Sequence, residues 1–189
     1  MRKVLGIIAL IMAITVGTLL IACNTKETEL TDLEKMQAAY EQIVGASKID
    51  EKIEIKKGDL LVYELKKGIL RDGAEFKVTE TEKTLNPVDE AYDSAYTETT
   101  DEYSLTAADE FTPSIKLEES YFASVSFEDG FVGKVKAGYE KELLGITEEI
   151  GSVGNMELRF SVEGEKVIEI KISYTSGENK INITLKIEY

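Results

Sequence analysis

Histidine and tryptophan are absent from the chain, cysteine occurs once, at Cys23, and proline only at Pro87 and Pro113. Without histidine the commonest metal ligand and the commonest general base are both missing. A lone cysteine excludes an intramolecular disulfide and a thiolate metal cluster, so stability must come from a packed core. There is no Gly-x-Ser-x-Gly elbow and no Ser-x-x-Lys pair, and a Ser or Cys triad lacks its base. A carboxylate pair of the glycosidase kind has acids to draw on, but no tryptophan to stack a sugar. The chain therefore reads as a non-enzyme that needs no cofactor.

Positive charge is scarce as well. Lys and Arg total 22 against 36 Asp and Glu, a net charge of −14. Nucleic acid is not expected as a partner, because duplex affinity rests on Lys and Arg neutralising phosphates. An anionic bilayer surface is repelled by the same field. Any attachment to a membrane has to be covalent.

The N-terminus supplies such an attachment. Arg2 and Lys3 precede residues 4–21, an uncharged run broken only by Gly6, Thr15, Gly17 and Thr18. These are the n-region and h-region of an export signal. Its end, Leu20-Ile21-Ala22-Cys23, resembles the lipobox of bacterial lipoproteins. The resemblance implies cleavage between Ala22 and Cys23, and a diacylglycerol, with further acylation such as palmitate, on Cys23. An uncleaved transmembrane helix is the alternative, since 18 apolar residues are long enough to span a bilayer. With residues 1–22 removed, 20 basic side chains face 36 acidic ones, a net charge of −16. Residues 23–30 form a lipidated terminus and a tether reaching about 25 Å at most. The expected location is the extracytoplasmic face of the cell membrane.

Residues 31–189 read as a single α+β domain, an antiparallel β-meander sheet with two packed helices. Thr31 and Glu34 form a capping box, and Leu33, Met36, Tyr40, Ile43 and Val44 follow at helical spacing, which predicts a helix over 31–45. Strands are expected at 53–57, 60–70 and 76–85. Residues 121–136 read as a hairpin around Asp129-Gly130. A second helix is predicted over 137–150, with Tyr139, Leu143, Leu144 and Ile146 as its apolar residues. Three alternating segments end the chain: Met156, Leu158, Phe160 and Val162; then Ile168, Ile170, Ile172 and Tyr174; then Ile181, Ile183, Leu185, Ile187 and Tyr189. Residues 39–45 and 138–145 are locally similar, which raises a duplicated helix-plus-meander unit with halves 31–112 and 113–189.

No basic residue falls between Lys83 and Lys116, where eight carboxylates alternate with Tyr92, Tyr96, Tyr103 and Phe111. Asp89, Glu90, Asp93, Asp101 and Glu102 are the candidate ligands for a hard cation such as calcium, although no EF-hand spacing is present. The alternative is a solvated connection or a polar strand pair. Gly130-Phe131-Val132-Gly133-Lys134 lacks the spacing of a phosphate loop and belongs to the hairpin. The function expected is a binding or interaction module of the cell envelope, with an envelope protein or ligand as partner. A carboxylate-dependent envelope hydrolase and a calcium-binding surface protein are the alternatives.

Overall fold

Alternation of apolar and polar residues dominates the chain from residue 48 onward, and in the computed structural model it produces one antiparallel sheet of nine strands. Residues 29–86, 96–106, 114–145 and 153–189 are described. The strands are β1 (Lys48–Lys57), β2 (Leu60–Asp72), β3 (Glu75–Leu85), β4 (Tyr96–Leu105), β5 (Phe122–Phe127), β6 (Phe131–Val135), β7 (Val153–Glu163), β8 (Lys166–Ser176) and β9 (Asn179–Glu188). Their spatial order is β4-β3-β2-β1-β9-β8-β7-β6-β5. The first and last strands meet in the middle, with Ile49 opposite Ile187, Ile53 opposite Ile183 and Ile55 opposite Ile181. That seam of matched β-branched pairs fixes the register, because a slip of one residue would turn every isoleucine to the other face.

Helix α1 (Asp32–Glu41) starts where the capping box predicts. The Thr31 hydroxyl accepts from the Glu34 N–H at 3.2 Å, and the Glu34 carboxylate accepts from the Thr31 N–H at 2.8 Å. A 3-10 turn, Gln42–Gly45, continues it. Met36 and Ile43 are fully buried in one core with Leu158, Phe160, Ile170 and Val167. The Tyr40 ring lies 5.9 Å from that of Phe160, and its hydroxyl accepts from the Ile115 N–H at 3.1 Å. The helix packs mainly on β5 and β8, and the 3-10 turn on β8.

The expected α+β class with two packed helices is overturned: the protein is mainly β, and its described residues form one nine-stranded sheet with a single substantial helix. Of the second helix predicted over 137–150, the described residues form only α2 (Glu140–Leu143). Two glycines bracket it with left-handed backbone, Gly138 at φ +94 and Gly145 at φ +65. Such a glycine ends a helix because other residues pay a steric cost there. The Leu143 carbonyl accepts from the Lys116 N–H at 2.7 Å, a bond that a continuing helix would have used for itself. A duplicated helix-plus-meander unit fails with it, since the one described helix before β7 is a single turn and no counterpart of α1.

One detail of the final alternation also differs. A register shift between Ser161 and Val162 opposes Val162 to Val167. Val167 is thereby fully buried, while Ile168, expected to share a face with Ile170 and Ile172, is exposed. Thr31–Tyr189 forms one compact unit. No helix among the described residues is long and apolar enough to cross a membrane.

Candidate functional site

Cys23 and Ala22 lie outside the described residues, as do Asp89, Glu90 and Asp93. Asp101 and Glu102 are described, and they are neighbours on β4, an edge strand. Successive residues of a strand point to opposite faces, so these two carboxylates cannot close on one ion. No group of three or more Cys, Asp or Glu side chains placed to hold a metal exists among the described residues. The acidic segment, in its described part, is a polar strand.

Asp101 belongs instead to a different arrangement. Along one cross-strand row it opposes Glu80, Glu80 opposes Lys67, Lys67 opposes Glu51, and Glu51 opposes Leu185. The row continues as Ile170, Phe160 and Phe131. All of these share the face of the sheet that carries the core, because Leu185, Ile170, Phe160 and Phe131 are buried. One row thus changes from three carboxylates and a lysine over β1 to β4 into aliphatic and aromatic residues over β6 to β9.

The charged end is internally connected. The Lys67 ammonium is 3.9 Å from the Glu80 carboxylate, and the Tyr103 hydroxyl donates to Glu80 Oε2 at 3.1 Å. Burial pushes the Glu51 carboxyl above the ordinary carboxylate range; Lys67 opposes the rise and the negative Glu80 adds to it. The Tyr63 hydroxyl is likewise raised, first by burial and then by the fields of Glu82, Glu80 and Glu51. Both shifts report partial desolvation first, and only at Tyr63 do the neighbouring charges all add to it.

Beside this row lies an apolar one. Glu82 opposes Leu65, Leu65 opposes Ile53, and Ile53 opposes Ile183. One step further, Tyr63, Ile55, Ile181 and Tyr174 stand in line. Ile53, Ile55, Tyr63, Leu65 and Ile183 are only half-buried, whereas Ile172 and Leu158, which continue the Ile53 row over β8 and β7, are buried. The difference follows from the helices, whose main contacts with the sheet are to β5, β7 and β8. Chemically, this part of the sheet offers an apolar floor bordered by Glu51, Glu80, Glu82 and Asp101, with Lys67 as the only cation in the row. Such a mixture of apolar surface and a few convergent polar groups is how small-molecule sites are built.

Sequence reasoning missed Glu51, Lys67 and Glu80, although each leaves a trace. Ile49-x-Glu51-x-Ile53, Leu65-x-Lys67-x-Ile69 and Val78-x-Glu80 each place one charge in the apolar phase of a strand. Charges of opposite sign at the same phase of neighbouring strands are the signal of a buried-face ion row.

The chain matches no family model and no curated protein. Among solved structures it is similar to LprF from Mycobacterium bovis, with a TM-score of 0.43 and 10% identity over 82% of this chain and 91% of that one.

Proposed function

We propose that this chain is an exported lipoprotein, cleaved before Cys23 and lipidated there, whose β-sheet domain acts as a binding module on the extracytoplasmic face of the membrane. The ligand class that best suits the half-covered face is an amphiphile with an apolar body and a cationic group. The supporting observation is the pair of adjacent rows: Ile53, Leu65 and Ile183 with no described helix over them, and the carboxylates of Glu51, Glu80 and Asp101 alongside. Apolar surface removed from water there contributes about 25 cal/mol per Å². The carboxylates of Glu51, Glu80, Glu82 and Asp101 outnumber Lys67 along this face, which favours a cation over an anion of the same length.

The ligand reading is tested by displacing the neutral dye Nile red from the full chain with decyltrimethylammonium or decyl sulfate. Preferential displacement by the cation, lost in the Glu51→Gln/Glu80→Gln double variant, is the expected result. Equal displacement by both, or no saturable dye binding, overturns it. The anchor is tested separately by Cys23→Ala, which abolishes metabolic incorporation of fatty acid and moves the protein out of the detergent phase. A partition unchanged by that replacement rules the anchor out.

A further inference from the structure

The two ends of the sheet are guarded very differently. An edge strand presents unpaired N–H and C=O groups, and proteins commonly protect it with charge. Edge strand β4 carries Glu98, Asp101 and Glu102 along its length. Edge strand β5, Phe-Ala-Ser-Val-Ser-Phe, carries no charge at all, and Phe127 at its end is exposed.

A groove of about 540 Å³ runs between β5 and the first turn of α1. Leu33, Phe122 and Val125 give it apolar lining, while Asp32, Glu34 and Glu119 supply three carboxylates and no basic residue lines it. Glu34 is held on the rim by its capping bond to Thr31, and Asp32 lies 4.0 Å from Lys35.

We propose that β5 is a docking edge for an extended basic segment of a partner protein, which adds as a tenth strand and places Lys or Arg side chains against Asp32, Glu34 and Glu119. Main-chain bonds to the edge supply affinity in such an addition, and the groove supplies selectivity. Charge decides the occupant. A second copy of this chain would bring an uncharged β5 to the groove, together with three more carboxylates and a net charge of −14, so self-pairing adds negative charge where a basic strand would offset it. The six residues of β5 span about 20 Å at roughly 3.4 Å each, which sets the length of the segment.

The test uses the full chain in detergent and a labelled six-residue peptide of alternating Lys and Val, followed by fluorescence anisotropy at low salt. Saturable binding is expected, with none for the Glu/Val counterpart. Methylating one alternate set of peptide amide nitrogens abolishes binding, while methylating the other set leaves it, because only one set faces β5. Glu119→Lys, an exposed position, weakens binding about ten-fold with an unchanged circular dichroism spectrum. Absence of saturable binding overturns the proposal. So does binding indifferent to methylation of either set, which is charge attraction without strand addition, or a concentration-dependent dimer that the peptide does not dissociate. The methylation series requires no altered protein, so a variant that fails to fold does not remove the test.

Discussion

The sheet is continuous, but its two halves are built to different ends. Over β7 and β8 the inward residues Met156, Leu158, Phe160, Val167, Ile170 and Ile172 are apolar and buried, and α1, the 3-10 turn after it and α2 make their main sheet contacts on these strands and on β5. Over β1, β2 and β3 the buried inward residues are Ile49, Ile69, Phe76 and Val78, close to where Arg71 donates to the Val44 and Ala46 carbonyls. Beyond them come Glu51, Lys67 and Glu80, then half-buried aliphatics. One half spends its inward face on packing, and the other keeps charge and partly accessible apolar surface there. A fold that needed only stability would gain by replacing the charged row with aliphatics, since ion pairs removed from water often fail to recover their desolvation cost. The charged row is the feature on which the proposed binding role of the β1–β4 half rests.

The largest effect expected from breaking this asymmetry is in the packed half. Phe160 is buried against Tyr40 and sits at the centre of the core. Phe160→Ala leaves a cavity that the surrounding sheet cannot close, and a loss of about 3–5 kcal/mol in urea unfolding is expected. A loss below about 1 kcal/mol would mean that the helix-covered side is not the stabilising one.

A matched pair sharpens the contrast with the same substitution. Ile170 is completely buried, and Ile53 occupies the neighbouring inward row in the half without a helix. Ile170→Ala should cost about 2–5 kcal/mol, whereas Ile53→Ala should cost about 1 kcal/mol, because its side chain loses less contact on removal. Equal losses would erase the distinction between the halves. Weaker Nile red binding by Ile53→Ala, with Ile170→Ala unchanged at a temperature where it remains folded, would strengthen it.

Close packing also appears at a glycine. A Cβ on Gly133 would stand 2.7 Å from the Phe122 ring and 3.8 Å from the Met36 methyl, so the ring occupies the space a side chain would need. Gly133→Ala is expected to cost about 1–3 kcal/mol by overpacking, measured by the same urea transitions. A neutral or stabilising outcome would show that the β5–β6 end of the core has slack.

Much of this architecture is legible in the sequence where local chemistry decides it. The Thr31–Glu34 box places the start of α1, Asp129-Gly130 lies in the β5–β6 hairpin, and the last three strands follow their alternation. What escapes is set by contacts distant in sequence. Tyr139, Leu143 and Leu144 carry helical spacing, but Lys116 captures the Leu143 carbonyl and Gly145 packs against Ser114, so the second helix stops after one turn. Val167 and Ile168 are exchanged by a bulge in β8, where Ile168 has no opposite residue on β7, and its place depends on how the two strands pair. The Glu51–Lys67–Glu80 row requires knowing which strands are neighbours, and Asp101 and Glu102, adjacent in the chain, are separated by the pleat.

The smallest effect concerns Glu51, and its sign is the informative part. Burial and Glu80 together outweigh Lys67, so the folded chain holds this carboxyl above its ordinary value of about 4.5. A carboxyl raised on folding contributes stability while it is protonated in both states, and that contribution is lost as pH rises from about 4.5 through the raised folded value. Ionised Glu51 is therefore a net cost to the fold at neutral pH. Glu51→Gln removes the titration and retains the shape, so the variant should gain stability relative to the parent across that interval and hold the gain at pH 7. Paired urea transitions taken at steps from pH 4 to pH 8 measure the difference directly. If the difference narrows as pH rises, Lys67 is the dominant influence on Glu51, the row is a stabilising ion network, and the β1–β4 half would resemble the packed half in serving stability.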